Sequence, residues 1–133
     1  MNMNAKKVLV IDDEKPARTM VVRALERLGV DSANIFQAEN GRVGTDLIQK
    51  ECPDLTITDL TMPEMDGWEV LAWIRDQYKP SQPQPSIKVL AMSGYVEDPG
   101  GATKRLTDAG ADGFLAKPFR LETFFMVVKS LLA

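Results

Sequence analysis

The sequence predicts an α/β fold in which a five-stranded parallel sheet, doubly wound, carries helices on both faces. Two observations predict it. Short runs of aliphatic and β-branched residues alternate five times with longer amphipathic stretches, the pattern of strand–helix crossovers in a parallel sheet. The 133 residues, 44% hydrophobic and 26% charged, suffice for one core and are too few for two.

Each element follows in chain order. Lys7 to Ile11 reads as a buried strand ending at Asp12-Asp13. Pro16 suits a first helical turn, and Ala17, Met20, Val21, Ala24, Leu25 and Leu28 recur at helical spacing before the stop signal Gly29. Ile35 to Ala38 is a second strand. Asn40 can cap a helix carrying Val43, Leu47 and Ile48, which ends before Pro53. Leu55 to Thr58 is a third strand, running into Asp59 and the turn Met62-Pro63-Glu64-Met65-Asp66-Gly67. Asp66 with Glu69 forms a capping pair for a helix with Leu71 and Ile74 inward. Tyr78 to Ser86, with Pro80, Pro83 and Pro85, reads as an exposed loop within the domain. Ile87 to Met92 is a fourth strand, and Ser93-Gly94 opens a loop. Pro99-Gly100-Gly101 precedes a weakly apolar helix with Ala102, Leu106 and Ala109. Gly113 to Ala116 is a fifth strand, followed by Lys117-Pro118. The last helix is the most periodic, with Leu121, Phe124, Phe125, Val128, Leu131 and Leu132.

Composition removes whole classes of chemistry. Histidine is absent, which excludes Ser-His-Asp and Cys-His catalysis and His-ligated zinc or haem. The single cysteine, Cys52, allows no intrachain disulfide, fits a reducing compartment and reads as a small buried hydrophobe. A net charge of −3 without a long basic run argues against direct nucleic-acid binding. The longest apolar runs, Val8 to Ile11 and Phe124 to Val128, fall far short of the ~18 residues of a membrane span. Met1 to Lys7 is polar, without an apolar signal region. The expected location is the cytoplasm.

In an open parallel sheet, ligands bind outside the carboxyl ends of the strands. Those ends here are Asp12-Asp13, Asp59, Ser93 and Lys117, so all five polar groups gather at one rim. Each alone has a plain explanation: a helix cap, a turn, a surface lysine. Their conjunction on one edge points to chemistry. Packed carboxylates repel one another and call for a cation. Oxygen-only donors favour Mg²⁺, Mn²⁺ or Ca²⁺, and few protein ligands beside a phosphoryl oxygen suit Mg²⁺. Trp68, Trp73, Phe119, Phe124 and Phe125 read as packing residues.

Four motifs, Val8-Leu9-Val10-Ile11-Asp12-Asp13-Glu14, Asp59 to Gly67, Met92-Ser93-Gly94 and Lys117-Pro118-Phe119, resemble the receiver domain of two-component response regulators, the group that includes the stand-alone chemotaxis receiver. They occur in that family's order and cover about residues 5 to 132, so residues 1–133 read as a single receiver domain. The resemblance implies a flavodoxin-like sheet of order 2-1-3-4-5 with five helices. It implies Asp59 as phosphoacceptor, taking a phosphoryl group from a histidine kinase or histidine phosphotransfer protein. It implies Mg²⁺ (Mn²⁺ as a substitute) on Asp13, Asp59 and the backbone carbonyl of Thr61, with Asp12 acting through a metal-bound water. Lys117 would hold a phosphoryl oxygen, and Ser93 would bond the phosphoryl group after transfer. Ser93 and Phe114 fall at the switch positions, and Thr61 and Tyr95 where dephosphorylation is tuned. Such a protein catalyses its own phosphorylation and dephosphorylation rather than turning over like a conventional enzyme.

The implied output surface joins the fourth helix, fifth strand and fifth helix and binds a downstream protein. The fourth helix, with the weakest apolar pattern, is the expected mobile element. Two departures stand out: Ser93 where Thr is commoner, and Phe114 where Tyr is frequent, so a phenolic hydrogen bond is lost. Alternatives are a receiver excised from a larger regulator or hybrid kinase, and a receiver-like interaction module that is never phosphorylated. A haloacid-dehalogenase-type phosphatase wants an aspartate where Thr61 stands, and an FMN binder wants a phosphate cradle where Asp12-Asp13-Glu14 stands.

Overall fold

The computed structural model describes residues 3–80, 86–94 and 99–133. Five strands, β1 (Val8–Ile11), β2 (Ile35–Ala38), β3 (Leu55–Asp59), β4 (Lys88–Ser93) and β5 (Gly113–Ala116), form one parallel sheet in the order β2-β1-β3-β4-β5. Between and after them run α1 (Lys15–Leu28), α2 (Gly41–Glu51), α3 (Gly67–Asp76), α4 (Pro99–Asp108) and α5 (Leu121–Leu132). The expected fold class and strand order are those observed. Pro80 is described; Pro83, Pro85 and Tyr95 lie outside the described residues.

The two-residue period of the strands divides the core. Val8, Val10, Leu55, Ile57, Leu90 and Met92 face one side, against Val21 and Leu25 of α1 and Phe124 and Val128 of α5. Leu9, Ile11, Val89 and Ala91 face the other, against Ile48 of α2, Val70 and Leu71 of α3 and Leu106 of α4. Burying one such side chain is worth ~1.5–3 kcal/mol, so the central strands are firm mounts for whatever sits at their ends. Among the described residues, no helix is long and apolar enough to cross a membrane.

Caps agree with the sequence. Asn40 Oδ1 accepts the Val43 N–H at 2.9 Å, and Asp66 and Glu69 form a reciprocal capping box at the start of α3. Gly29 ends α1 at φ 113°, a left-handed conformation that glycine adopts without strain.

Five details differ from expectation. The strands β3 and β4 extend one residue further, so Asp59 and Ser93 close their strands rather than follow them. On α2 the buried face is Gly41, Gly44, Thr45 and Ile48, whereas Val43 is exposed; a Cβ on Gly44 would collide with the Ile11 side chain, so small residues let this helix approach the sheet. Met20 of α1 is likewise exposed. α4 begins at Pro99 instead of after Gly101, because a first-turn residue has no helical use for the N–H that proline lacks. Cys52 is half-buried and caps α2 in the left-handed region, φ 50°, where its N–H donates to the Ile48 carbonyl.

Thr56 and Thr58 occupy the β3 positions between the apolar ones. Thr58 Oγ1 donates to the Asp59 carbonyl at 3.0 Å, but the fully buried Thr56 hydroxyl has no partner among the described residues. A buried hydroxyl without a hydrogen bond costs stability, and a methyl of the same shape does not. Thr56→Val is therefore expected to raise the urea midpoint by an amount corresponding to about 1 kcal/mol; a lowered midpoint would contradict the assignment.

Candidate functional site

The carboxyl ends of β1, β3, β4 and β5 converge as the parallel sheet requires. Asp12 follows β1 and is fully buried. Its N–H donates to the Ala38 carbonyl at 3.1 Å, its Oδ1 accepts the Glu14 N–H at 2.9 Å, and its backbone carbonyl accepts Arg18 Nη1 at 2.7 Å. Asp59 closes β3 and is 7% exposed. Its Oδ1 accepts the Thr61 N–H at 3.1 Å.

Lys117 joins these two acids. Its N–H donates to the Ser93 carbonyl at 2.8 Å, extending the β4–β5 pairing by one residue, and the Lys117–Pro118 peptide is cis. Its Nζ donates to Asp12 Oδ2 at 3.0 Å and to Asp59 Oδ2 at 3.0 Å. Residues 105 and 58 positions away along the chain thus meet on one ammonium. Burial acts to lower the Lys117 pKa, but the hydrogen bonds to Asp59 and Asp12 and their negative charge outweigh it, and the pKa is raised. Lys117 is therefore a firm cation, and the repulsion expected between packed carboxylates is offset by the protein itself.

Asp13 and Glu14 are exposed beside this pair. Carboxylate oxygens of Asp12, Asp13 and Glu14 lie within 4.8 Å of one another. The expected acidic set was Asp12, Asp13 and Asp59; the compact group holds Glu14 in place of Asp59, whose Oδ2 is turned toward Lys117. These are hard oxygen donors in a chain without histidine, and they fit a hard divalent cation.

The remaining expected residues are distributed as follows. Ser93 closes β4 and is buried, 6% exposed. Thr61 is exposed, two residues after Asp59. Phe114 lies half-buried in β5 against the core on the α2, α3 and α4 side. Two residues were not foreseen. Glu14 adjoins the acid pair in the chain, which is the signal for it. Arg18 has no such signal, because an arginine on a helix reads as solvent-facing until its contact with the Asp12 carbonyl is seen.

The turn between β3 and α3 folds tightly under Asp59. The Leu60 N–H donates to Met92 O at 2.9 Å, and the Gly67 N–H returns to Leu60 O at 3.1 Å. Glu64 takes the left-handed conformation, φ 68°.

The profile of the family described as the response regulator receiver domain matches residues 8–129. The chain belongs to that family. Among curated relatives, histidine kinase P4 of Formosa agariphila is 31% identical over 125 residues, which is 94% of this chain but 8% of that protein. The chain therefore spans a small part of that relative's length. Among solved structures, the chemotaxis response regulator CheY4 of Vibrio cholerae is 31% identical with a TM-score of 0.79, covering 96% of this chain and 98% of that one. The signal receiver domain of a signal transduction histidine kinase from Syntrophus aciditrophicus is 29% identical with a TM-score of 0.78, covering 96% and 90%. This receiver domain is thus similar both to a chemotaxis regulator and to receivers carried by kinases, and its sheet order is the one those motifs implied.

Proposed function

We propose that this receiver takes a phosphoryl group onto Asp59 from a phosphohistidine on a histidine kinase or phosphotransfer protein in the cytoplasm. The supporting observation is the Lys117 ammonium at 3.0 Å from both Asp12 and Asp59. Phosphoryl transfer asks a protein mainly for positioning and charge neutralisation. The Asp59 carboxylate is oriented at both oxygens, by the Thr61 N–H and by Lys117. In the transfer, an Asp59 oxygen bonds to phosphorus as the phosphorus–nitrogen bond to imidazole breaks, and the imidazole nitrogen takes a proton. The ionised nucleophile needs no general base. Lys117 then shifts from the Asp59 carboxylate to a phosphoryl oxygen while Asp12 keeps hold of it.

Mg²⁺, held by Asp13, Asp59 and the Thr61 carbonyl, and by Asp12 through a water, would supply further charge neutralisation at the phosphoryl oxygens. The Ser93 hydroxyl, buried at the end of β4, bonds the phosphoryl group after transfer, and Phe114 follows it inward. Thr61, two residues after Asp59, and Tyr95, two after Ser93 in the sequence, hold the positions at which the family tunes hydrolysis of the acyl phosphate. The output is a two-state surface of α4, β5 and α5 offered to a downstream protein. Its support is the light anchoring of α4: among the described side chains of that helix only Leu106 is buried.

The test is intact mass after incubation with Mg²⁺ and a small acyl phosphate or phosphoramidate. A phosphoryl adduct on Asp59 that requires the metal and is absent in Asp59→Asn is expected. Turnover of a phosphate ester without an adduct would replace this reading with a phosphatase, and no reaction at all would leave an interaction module.

A further inference from the structure

The turn that carries Asp12, Asp13 and Glu14 is fastened from two sides. On the inner side Asp12 Oδ1 accepts the Glu14 N–H at 2.9 Å. On the outer side the half-buried Arg18 donates Nη1 to the Asp12 backbone carbonyl at 2.7 Å, while its Nε reaches Gln37 Oε1 on β2 at 3.4 Å. The backbone N–H of Arg18 also makes the first bond of α1, to the Glu14 carbonyl at 3.0 Å. One residue therefore ties the strand-end turn, the helix start and the sheet edge together.

Three carboxylates within 4.8 Å repel one another, and two of them are exposed on this turn. Without an external brace the turn relaxes by splaying Asp13 and Glu14 apart. From this arrangement we infer that Arg18 is a positioning residue for divalent-cation binding: by holding the Asp12 carbonyl it keeps the neighbouring carboxylates convergent. The inference rests on the metal-dependent reading given above.

The sign of the effect separates this role from simple electrostatics. A guanidinium beside an acidic cluster opposes a cation by charge alone, so its removal would tighten binding if charge were all that mattered. If positioning dominates, removal weakens binding, and loss of such an indirect support costs on the order of 10-fold in metal affinity.

The experiment is calorimetric titration of Mg²⁺ into wild type, Arg18→Met, Arg18→Lys and Gln37→Leu. About 10-fold weaker binding is expected for Arg18→Met. Arg18→Lys should recover part of the loss, because an ammonium can still reach one carbonyl, and Gln37→Leu should lose less than Arg18→Met. Thermal unfolding in chelator checks that each variant folds, a readout on which the positioning role predicts little change. Unchanged or tighter binding by Arg18→Met overturns the inference, as does a Lys variant that recovers nothing. If wild type binds no Mg²⁺ while all variants match it, the metal-dependent reading itself fails.

Discussion

Lys117→Met is expected to lower stability by about 3 kcal/mol, near the bottom of the range for breaking a buried ion pair. The substitution removes the cation and leaves both acids in place. Asp12 is fully buried and Asp59 nearly so, so water restores little of the lost hydrogen bonding. The two carboxylates then face each other uncompensated. The Lys117 side chain is 19% exposed, so some water reaches the gap, which is why the low end of the range applies. For a domain of this size the loss corresponds to a Tm decrease of about 10 °C.

Two companion measurements make the cause specific. Mg²⁺ should raise the Tm of the Met variant more than that of wild type, since an added cation replaces the missing one. The pH dependence has a fixed sign. The folded pKa of Lys117 is raised above 10.5, so its contribution is fully present below 10.5 and is lost as pH rises through the higher folded value. The difference between wild type and variant should therefore hold steady through neutral pH and shrink in that alkaline window. A Met variant that melts with wild type would remove Lys117 as the counter-charge.

Gly67→Ala is expected to cost about 2–3 kcal/mol, the cost of forcing one methyl into a packed site that has no room for it. Gly67 opens α3, and a Cβ there would overlap the Asp59 carbonyl oxygen and come within 2.8 Å of the Leu60 Cα. Both obstacles are backbone, so no side chain can swing away. The displaced strand end carries Asp59, and adduct formation should fall along with stability. Gly94→Ala is the matched control. It sits next to Ser93, yet among the described residues nothing lies within 4 Å of its Cβ position, so its effect should stay within about 0.5 kcal/mol. Equal urea midpoints for the two alanine variants would defeat the argument.

The fold and the rim were legible because both follow from alternation. Five apolar runs set the strands, and parallel strands send Asp12, Asp59, Ser93 and Lys117 to the same edge whatever the details of packing. What was not legible depends on distance rather than order. Hydrophobic spacing counts apolar side chains and is blind to their absence, so it placed Val43 inward on α2 where Gly41 and Gly44 make the close approach. It also gave no way to see that Asp59 would face Lys117 while Glu14 closed up on Asp12 and Asp13. Arginines were the other blind spot. Arg75 of α3 donates to Gly110 O, Ile87 O and Asp112 Oδ2, and thereby fixes the loop before β5, yet in sequence it is one more surface charge.

Trp68, in the first turn of α3, has the Arg105 guanidinium of α4 over its ring at 5.6 Å. Indole emission responds to a charge beside the ring, so the protein carries an intrinsic optical gauge of where its fourth helix sits. The other indole, Trp73, lies 5.7 Å from the Tyr78 ring toward the far end of the same helix. Exchanging Trp73 for phenylalanine leaves one indole, and helix displacement can then be followed in real time by exciting it selectively, without attaching a dye.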